Sequence, residues 1–88
     1  MKPLNKLNLE KLHLEKYTNF GHARLLTPEL MKDGKLRTKK EIVDTIIFIL
    51  RRKEMYNDKP AIEEGVGYAL KRMNCKIARN LYQVQNKQ

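Results

Sequence analysis

The sequence is short of the residues on which several common kinds of protein depend. Its 88 residues include one cysteine, no tryptophan and no serine. One cysteine cannot form an intrachain disulfide, and it leaves a zinc knuckle without a second thiol. No apolar run approaches the roughly 18 residues that cross a bilayer, and the first residues lack the apolar stretch of a signal peptide. We therefore expect one small domain over residues 1–88, cytoplasmic and without a membrane partner.

Acidic residues are scarce, and none follows Glu64. Nineteen Lys and Arg against ten Asp and Glu give a formal net charge of +9 and a pI of about 9.9. Such an excess on a small domain favours a polyanionic partner, most often nucleic acid. The alternative interpretation is a lysine-rich, soluble surface that binds nothing in particular.

Residues for catalysis are also missing. Glu63 and Glu64 are adjacent, so on a helix they point about 100° apart and do not converge as an acid–base pair. The only glycine pair, Gly65 and Gly67, lacks the rest of a phosphate-binding loop. His13, His22 and Cys75 do not have the spacing of a usual metal site. We therefore expect no enzyme, no metal and no cofactor.

Residues 1–20 carry a tandem L-x-L-E-K repeat at 7–11 and 12–16. A period of five fits neither a helix nor a strand, because equivalent leucines drift by about 140° per repeat around a helix. Two interpretations follow: an amphipathic N-terminal helix, which we favour, or an extended arm that packs its leucines on a partner.

Two helices are expected next. Thr27-Pro28-Glu29 has the pattern of a helix start, with a capping residue, proline at the first position and an acid in the first turn. Gly34 is a natural stop, which predicts a short helix at 28–33. Thr38 and Glu41 have the spacing of a capping box before a dense apolar run, which predicts a core helix at 39–55.

A long amphipathic helix is expected at 60–84. Apolar residues recur there at spacings of three and four, after a turn that ends in Pro60: Ile62, Val66, Ala69, Leu70, Met73, Ile77, Leu81 and Val84. Gly65 and Gly67 fall inside this stretch, and each costs about 1 kcal/mol relative to alanine in a helix. Either the helix is broken near them, or their lack of side chains lets another helix cross closely. Because the apolar stripe stays in phase across them, we expect another helix to cross closely there.

One face of that helix combines aromatic and basic side chains. Steps of 4, 3, 4 and 3 residues would keep five of them on one side: Tyr68, Arg72, Cys75, Arg79 and Tyr82, flanked by Lys71, Lys76 and Asn80. Arginine bonds phosphates and guanine edges, and tyrosine stacks on bases. The same residues would suit a protein interface, or simply tyrosines beside the core with solvated arginines.

Two DNA-binding motifs fit this stretch poorly. A helix-turn-helix with Ala69 at its tight contact places Met73 where glycine is usual, and puts Arg72 and Arg79 at positions that should be apolar. A ribbon-helix-helix would have only residues 34–37 as its ribbon.

The sequence thus predicts a small all-α domain with two long helices and short N-terminal helices, either as a monomer or as a homodimer. We expect it to bind nucleic acid, DNA or RNA, as a regulator of transcription or of another nucleic-acid process. The phosphate contacts would come from the C-terminal helix and from Arg51, Arg52 and Lys53. The alternative is a protein-interaction module, an inhibitor or adaptor of phage or mobile-element type, that docks on a nucleic-acid enzyme or a ribonucleoprotein.

Overall fold

The computed structural model describes residues 12–84, which form three α-helices and a small antiparallel sheet. A 3-10 helix at Leu14–Lys16 precedes α1 at Asn19–Met31, α2 at Lys39–Arg52 and α3 at Lys59–Met73; the strands are β1 at Lys76–Ala78 and β2 at Leu81–Tyr82. The expectation of a mainly helical domain is confirmed, but the sheet departs from an all-α fold. None of the helices within residues 12–84 is long and apolar enough to cross a bilayer.

Helix α1 replaces the short helix expected at 28–33. It begins nine residues earlier, at Asn19, and Pro28 lies inside it. Thr27 does not cap a helix start: it is buried, and its hydroxyl donates to the Ala23 carbonyl at 2.7 Å. A proline inside a helix costs about 3 kcal/mol. We attribute its tolerance here to the burial of α1, whose Leu26 and Met31 are fully buried.

Helix α2 begins where the sequence predicts. The Thr38 hydroxyl accepts from the Glu41 amide at 3.1 Å, and the Glu41 carboxylate accepts from the Thr38 amide at 2.8 Å. The helix ends at Arg52 rather than at 55, because Glu54 adopts a left-handed conformation with φ 59°. The Met55 amide then donates to the Leu50 carbonyl at 2.8 Å, which closes the helix end.

Helix α3 is the largest correction, because it ends at Met73 instead of continuing to 84. It starts as expected, with the Asp58 carboxylate accepting from the Ala61 amide at 3.1 Å and proline in the first turn. It stops at Asn74, whose φ of 53° is left-handed. Residues 76–82 then turn back as a hairpin, with Arg79 and Asn80 between the strands. Ile77, expected in the apolar stripe, is 48% exposed.

The hairpin is attached to the helices through a residue far away in the sequence. Arg37 pairs with Tyr82: each amide donates to the other's carbonyl, at 2.9 and 2.8 Å. The Arg37 guanidinium also binds the Asp33 carboxylate, at 2.9 and 2.8 Å, and the Leu30 carbonyl at 3.1 Å. Arg37 therefore adds a one-residue antiparallel bridge to the edge of the sheet, just before α2 begins.

The core lies between the three helices. Its fully buried members include Leu26 from α1, Ile42, Ile46 and Leu50 from α2, and Ile62 from α3. The expected close crossing is confirmed at Gly65, where an added Cβ would lie 2.5 Å from the Phe20 carbonyl oxygen and 2.7 Å from the Ala23 Cβ. The first L-x-L-E-K repeat lies outside the described residues, and from the second Leu14 is buried in the core.

Candidate nucleic-acid interface

A groove lies where the starts of α2 and α3 meet the tip of the hairpin. Its volume is about 490 Å³. Basic, acidic and amide side chains line it, above Val43 at its floor: Lys39, Lys40, Asp44, Lys59, Glu63 and Asn80. We refer to these residues as the groove.

Local signals in the sequence hold each wall of the groove in place. The capping box at Thr38 fixes the first turn of α2 and therefore the positions of Lys39 and Lys40. The Asp58 cap does the same for Lys59 at the start of α3. Asn80 lies in the hairpin turn, where its φ of 58° is left-handed, a conformation that asparagine tolerates better than most residues.

The groove carries three lysines against two carboxylates. Lys40 and Asp44 form an exposed ion pair at 2.7 Å, and the hydrogen bond to Asp44 raises the pKa of the Lys40 ammonium. Lys39 is half-buried and extends across α3, so that its ammonium lies 3.2 Å from the point where a Cβ on Gly67 would be. The missing side chain of Gly67 therefore makes room for this cation.

The predicted site residues on α3 occupy a different side of that helix. Tyr68 is 44% exposed, with its ring centroid 5.9 Å from that of Phe20 on α1. The Arg72 guanidinium lies 5.7 Å from the centre of the Tyr68 ring. Lys71, which is exposed, projects between this aromatic side and the groove side of the helix.

The other predicted residues of the C-terminal segment are not on a helix. Lys76 and Arg79 are exposed on the hairpin, whereas Tyr82 is half-buried against the core. Cys75 is buried, and burial raises the pKa of its thiol. The expectation that Tyr68, Arg72, Cys75, Arg79 and Tyr82 share one helical face is therefore wrong, because the helix ends before Cys75.

The third predicted cluster lies at the opposite end of α2 from the groove. Arg51, Arg52 and Lys53 are all exposed. At 1.5 Å per residue, Arg52 lies about 18 Å along the helix axis from Lys40. The structure therefore divides the nine predicted residues among α3, the hairpin and the end of α2.

Of the groove residues, sequence reasoning named only Asn80 as a candidate, beside the predicted helical face, and it missed the others. No pattern of residue types connects Lys39, Lys59 and Asn80, because they come together only through the tertiary fold. The usable signals were the helix starts themselves: a capping box at Thr38, and a turn with proline at residues 57–60. Basic residues directly after such starts lie near the free backbone amides of a helix N-terminus, where anions bind.

Neither histidine of the sequence takes part in a metal cluster in the described part of the chain, 12–84. His22 is buried and has a structural role. Its Nε2 lies 2.6 Å from the Leu14 carbonyl oxygen, and its Nδ1 lies 3.1 Å from the Asn19 amide nitrogen. These partners assign the proton to Nε2 and the acceptor role to Nδ1.

No protein-family model matches the chain, and neither the curated proteins nor the solved structures contain a significant match to it.

Proposed function

We propose that this protein binds duplex DNA through the groove, the exposed side of α3 around Lys71, and the hairpin. We further propose that it acts as a regulator at its binding site. The observation that carries the proposal is the meeting of Lys39, Lys59 and the hairpin tip in one groove. Arg79, next to Asn80, extends this basic surface along the hairpin. Lys71 and Lys76 extend it further, and all three side chains are exposed.

The order of the elements supports this proposal. Helices α2 and α3 are consecutive, are joined by residues 53–58, and are followed at once by an antiparallel hairpin. In a helix-turn-helix, the first helix crosses the DNA backbone and the second enters the major groove. The connection here is longer than the usual three or four residues. In this arrangement α2 would present Lys39 and Lys40 to phosphates, and α3 would present Lys59, Glu63 and Lys71 to the major groove of the DNA.

Duplex DNA is favoured over duplex RNA because of groove dimensions. The B-form major groove admits a helix, whereas the A-form major groove of RNA is too narrow for side chains to read. Glu63 fits this proposal despite its charge, because a carboxylate can accept a hydrogen bond from the amino group of cytosine. We therefore expect Glu63→Gln to change base preference more than it changes affinity for non-specific DNA.

The salt dependence of DNA binding tests the proposal. Each phosphate neutralised by a lysine contributes about 0.9 to the slope of log K against log salt. We expect the double variant Lys39→Gln, Lys59→Gln to bind duplex DNA more weakly and to lower the magnitude of that slope by about 2. Fluorescence anisotropy at several salt concentrations measures both quantities, and circular dichroism checks the fold.

The matched control is Lys16→Gln, Arg24→Gln. It removes the same charge from exposed positions on the 3-10 helix and α1, neither of which lines the groove. Equal slopes for the two double variants would mean that only net charge matters, and would contradict the proposal.

The length of DNA protected from nuclease tests the homodimer hypothesis, because two copies on half-sites cover about one further helical turn.

The tertiary position of each arginine refines the test. Arg79 lies beside the groove in the hairpin turn, whereas Arg72 lies over Tyr68 on the flank that faces α1. We therefore expect Arg79→Gln to reduce the salt slope by about one unit and Arg72→Gln to reduce it less. If both arginines contribute equally, the DNA surface is wider than the groove and includes the Tyr68 side of α3.

A further inference from the structure

The end of α2 carries a second basic surface that the groove does not use. Phe48 and Arg52 are one turn apart on α2, and Arg51 lies beside them on the same side of the helix. The Arg52 guanidinium lies 5.7 Å from the centre of the Phe48 ring, and that of Arg51 lies 4.9 Å from the centre of the Tyr56 ring. We refer to Phe48, Arg51, Arg52 and Tyr56 as the arginine–aromatic cluster.

Folding accounts for only part of this cluster. Cations at the end of a helix interact favourably with its dipole, which explains two arginines in the last turn of α2. It does not explain why Phe48, in the middle of the exposed side, is half exposed to solvent. Nor, within residues 12–84, does either arginine form an ion pair with a carboxylate of the chain.

We propose that the arginine–aromatic cluster is a docking site for an acidic segment of another protein that carries an apolar side chain among its carboxylates. Both guanidinium groups are held over a ring, so less conformational entropy is lost when they bind a carboxylate through two hydrogen bonds. The exposed half of the Phe48 ring would cover the apolar side chain. Aromatic and arginine side chains together are the residue types that dominate binding energy at protein interfaces.

The geometry of the rings favours a protein segment over nucleic acid at this site. Stacking of bases on aromatic side chains requires a free ring face. Here each of the two rings already has an arginine of the same chain over one face. An acidic segment with apolar residues uses what is left, which is the outward edges of the guanidinium groups and the exposed part of Phe48.

The two surfaces are far enough apart to act together. About 18 Å of α2 separates Arg52 from Lys40 in the groove. A protein with both surfaces would hold an acidic partner next to its DNA site, as an adaptor does. The docking site nevertheless stands on its own observations, and it would remain if the groove did not bind DNA.

Two synthetic peptides of equal charge test the proposal: one of glutamates with leucines spaced among them, and one of glutamates and glycines. Fluorescence anisotropy of the labelled peptides measures their affinity for the full chain. We expect the leucine peptide to bind more tightly, and Phe48→Ala to weaken it about tenfold, the loss of a strong interface contact, while weakening the glycine peptide much less, because that peptide loses only the ring that holds Arg52 in place. Arg51→Gln, Arg52→Gln should weaken both peptides.

The controls distinguish this proposal from the DNA surface. Lys16→Gln, Arg24→Gln removes the same charge elsewhere and should leave peptide binding unchanged. The proposal is overturned if the leucine peptide does not bind, if Phe48→Ala has no effect on it, or if the control variant is as damaging as Arg51→Gln, Arg52→Gln. It is also overturned if Arg51→Gln, Arg52→Gln loses duplex DNA affinity as strongly as Lys39→Gln, Lys59→Gln does. The cluster would then be part of the DNA surface.

Discussion

The crossing of α1 and α3 and the hairpin that follows α3 are stabilised by different interactions. At the crossing, Gly65 brings two helix backbones so close that no side chain fits between them. In the hairpin, every residue of β1 is exposed, and Ile77 has about half of its surface in solvent. The crossing is therefore held by burial, whereas the hairpin is held mainly by hydrogen bonds, with only Tyr82 partly packed against the core.

The two regions therefore differ in the free energy needed to open them locally. The hairpin is attached through the Arg37–Tyr82 pair, and Gln83 adds two further hydrogen bonds, from its amide to the Cys75 carbonyl at 2.9 Å and from its side chain to the Gly34 carbonyl at 2.8 Å. Such a segment opens locally at lower cost than a packed helix pair. We therefore expect the hairpin to open more readily than the crossing of α1 and α3.

The largest effect is expected at the crossing itself. Gly65→Ala places a methyl group against the Phe20 carbonyl and should lower the free energy of unfolding by about 3 kcal/mol, the upper range for overpacking. Gly67→Ala is the matched change: only the flexible end of Lys39 is near, so it should raise stability by up to about 1 kcal/mol. Urea denaturation measures both. A similar result for the two variants would contradict the close crossing.

The next effect concerns Asn19, which connects the crossing to the α2–α3 connection. Its amide nitrogen donates to the Met55 carbonyl at 2.9 Å, and its oxygen accepts from the amides of Asn57 and Asp58, each at 2.8 Å. Asn19→Ala leaves these groups unpaired and should cost about 2 kcal/mol of stability. Asn57→Ala, at an exposed position whose backbone forms the bond, should cost little. Thermal unfolding compares the two.

The end of α3 gives a prediction in which the sign is decisive. In a continuous helix, Asn74→Ala would stabilise the protein and Asn74→Gly would destabilise it. With Asn74 in a left-handed conformation, alanine should instead cost about 1 kcal/mol and glycine should cost nothing or stabilise. Denaturant midpoints of the two variants distinguish the hairpin from the helix that the sequence predicts.

The smallest effect involves the ion pair that supports the hairpin. The Arg37 guanidinium lowers the pKa of the Asp33 carboxyl from 3.8 to about 2. A lowered pKa in the folded state stabilises the protein above about pH 4, and this contribution is lost as the pH falls towards 2. Because the pair is partly exposed, Asp33→Asn should cost at most about 1 kcal/mol at neutral pH.

A pH series provides the control for Asp33→Asn. The difference in stability between this variant and the unsubstituted protein should shrink below pH 4 and be nearly absent at pH 2. A difference that stays constant over this range would mean that the carboxylate charge is not what stabilises the pair.

The exposed cations of the C-terminal segment were predictable from the sequence, whereas the residues that line the groove were not. The excess of exposed cations after Glu64 was evident, and Lys71, Arg72, Lys76 and Arg79 are all exposed. The helical face expected for Tyr68, Arg72, Cys75, Arg79 and Tyr82 was wrong, because the apolar spacings of three and four continue through Ile77 and Leu81 although the helix ends at Met73. The competing signals, Asn74 and Asn80 in left-handed conformations, are single residues that helix periodicity does not weigh.

The elements whose causes are local can be predicted from the sequence alone. The capping box at Thr38, the cap and proline at the start of α3, and the apolar run of α2 each act within a few residues, so they could be recognised along the chain. The other features depend on packing between segments that are far apart in the sequence. Pro28 lies inside α1, whose Leu26 and Met31 are fully buried, and residues 76–82 fold back as a hairpin in which Tyr82 also pairs with Arg37. The groove joins residues of three elements, and contacts between distant segments leave no periodic trace in a sequence.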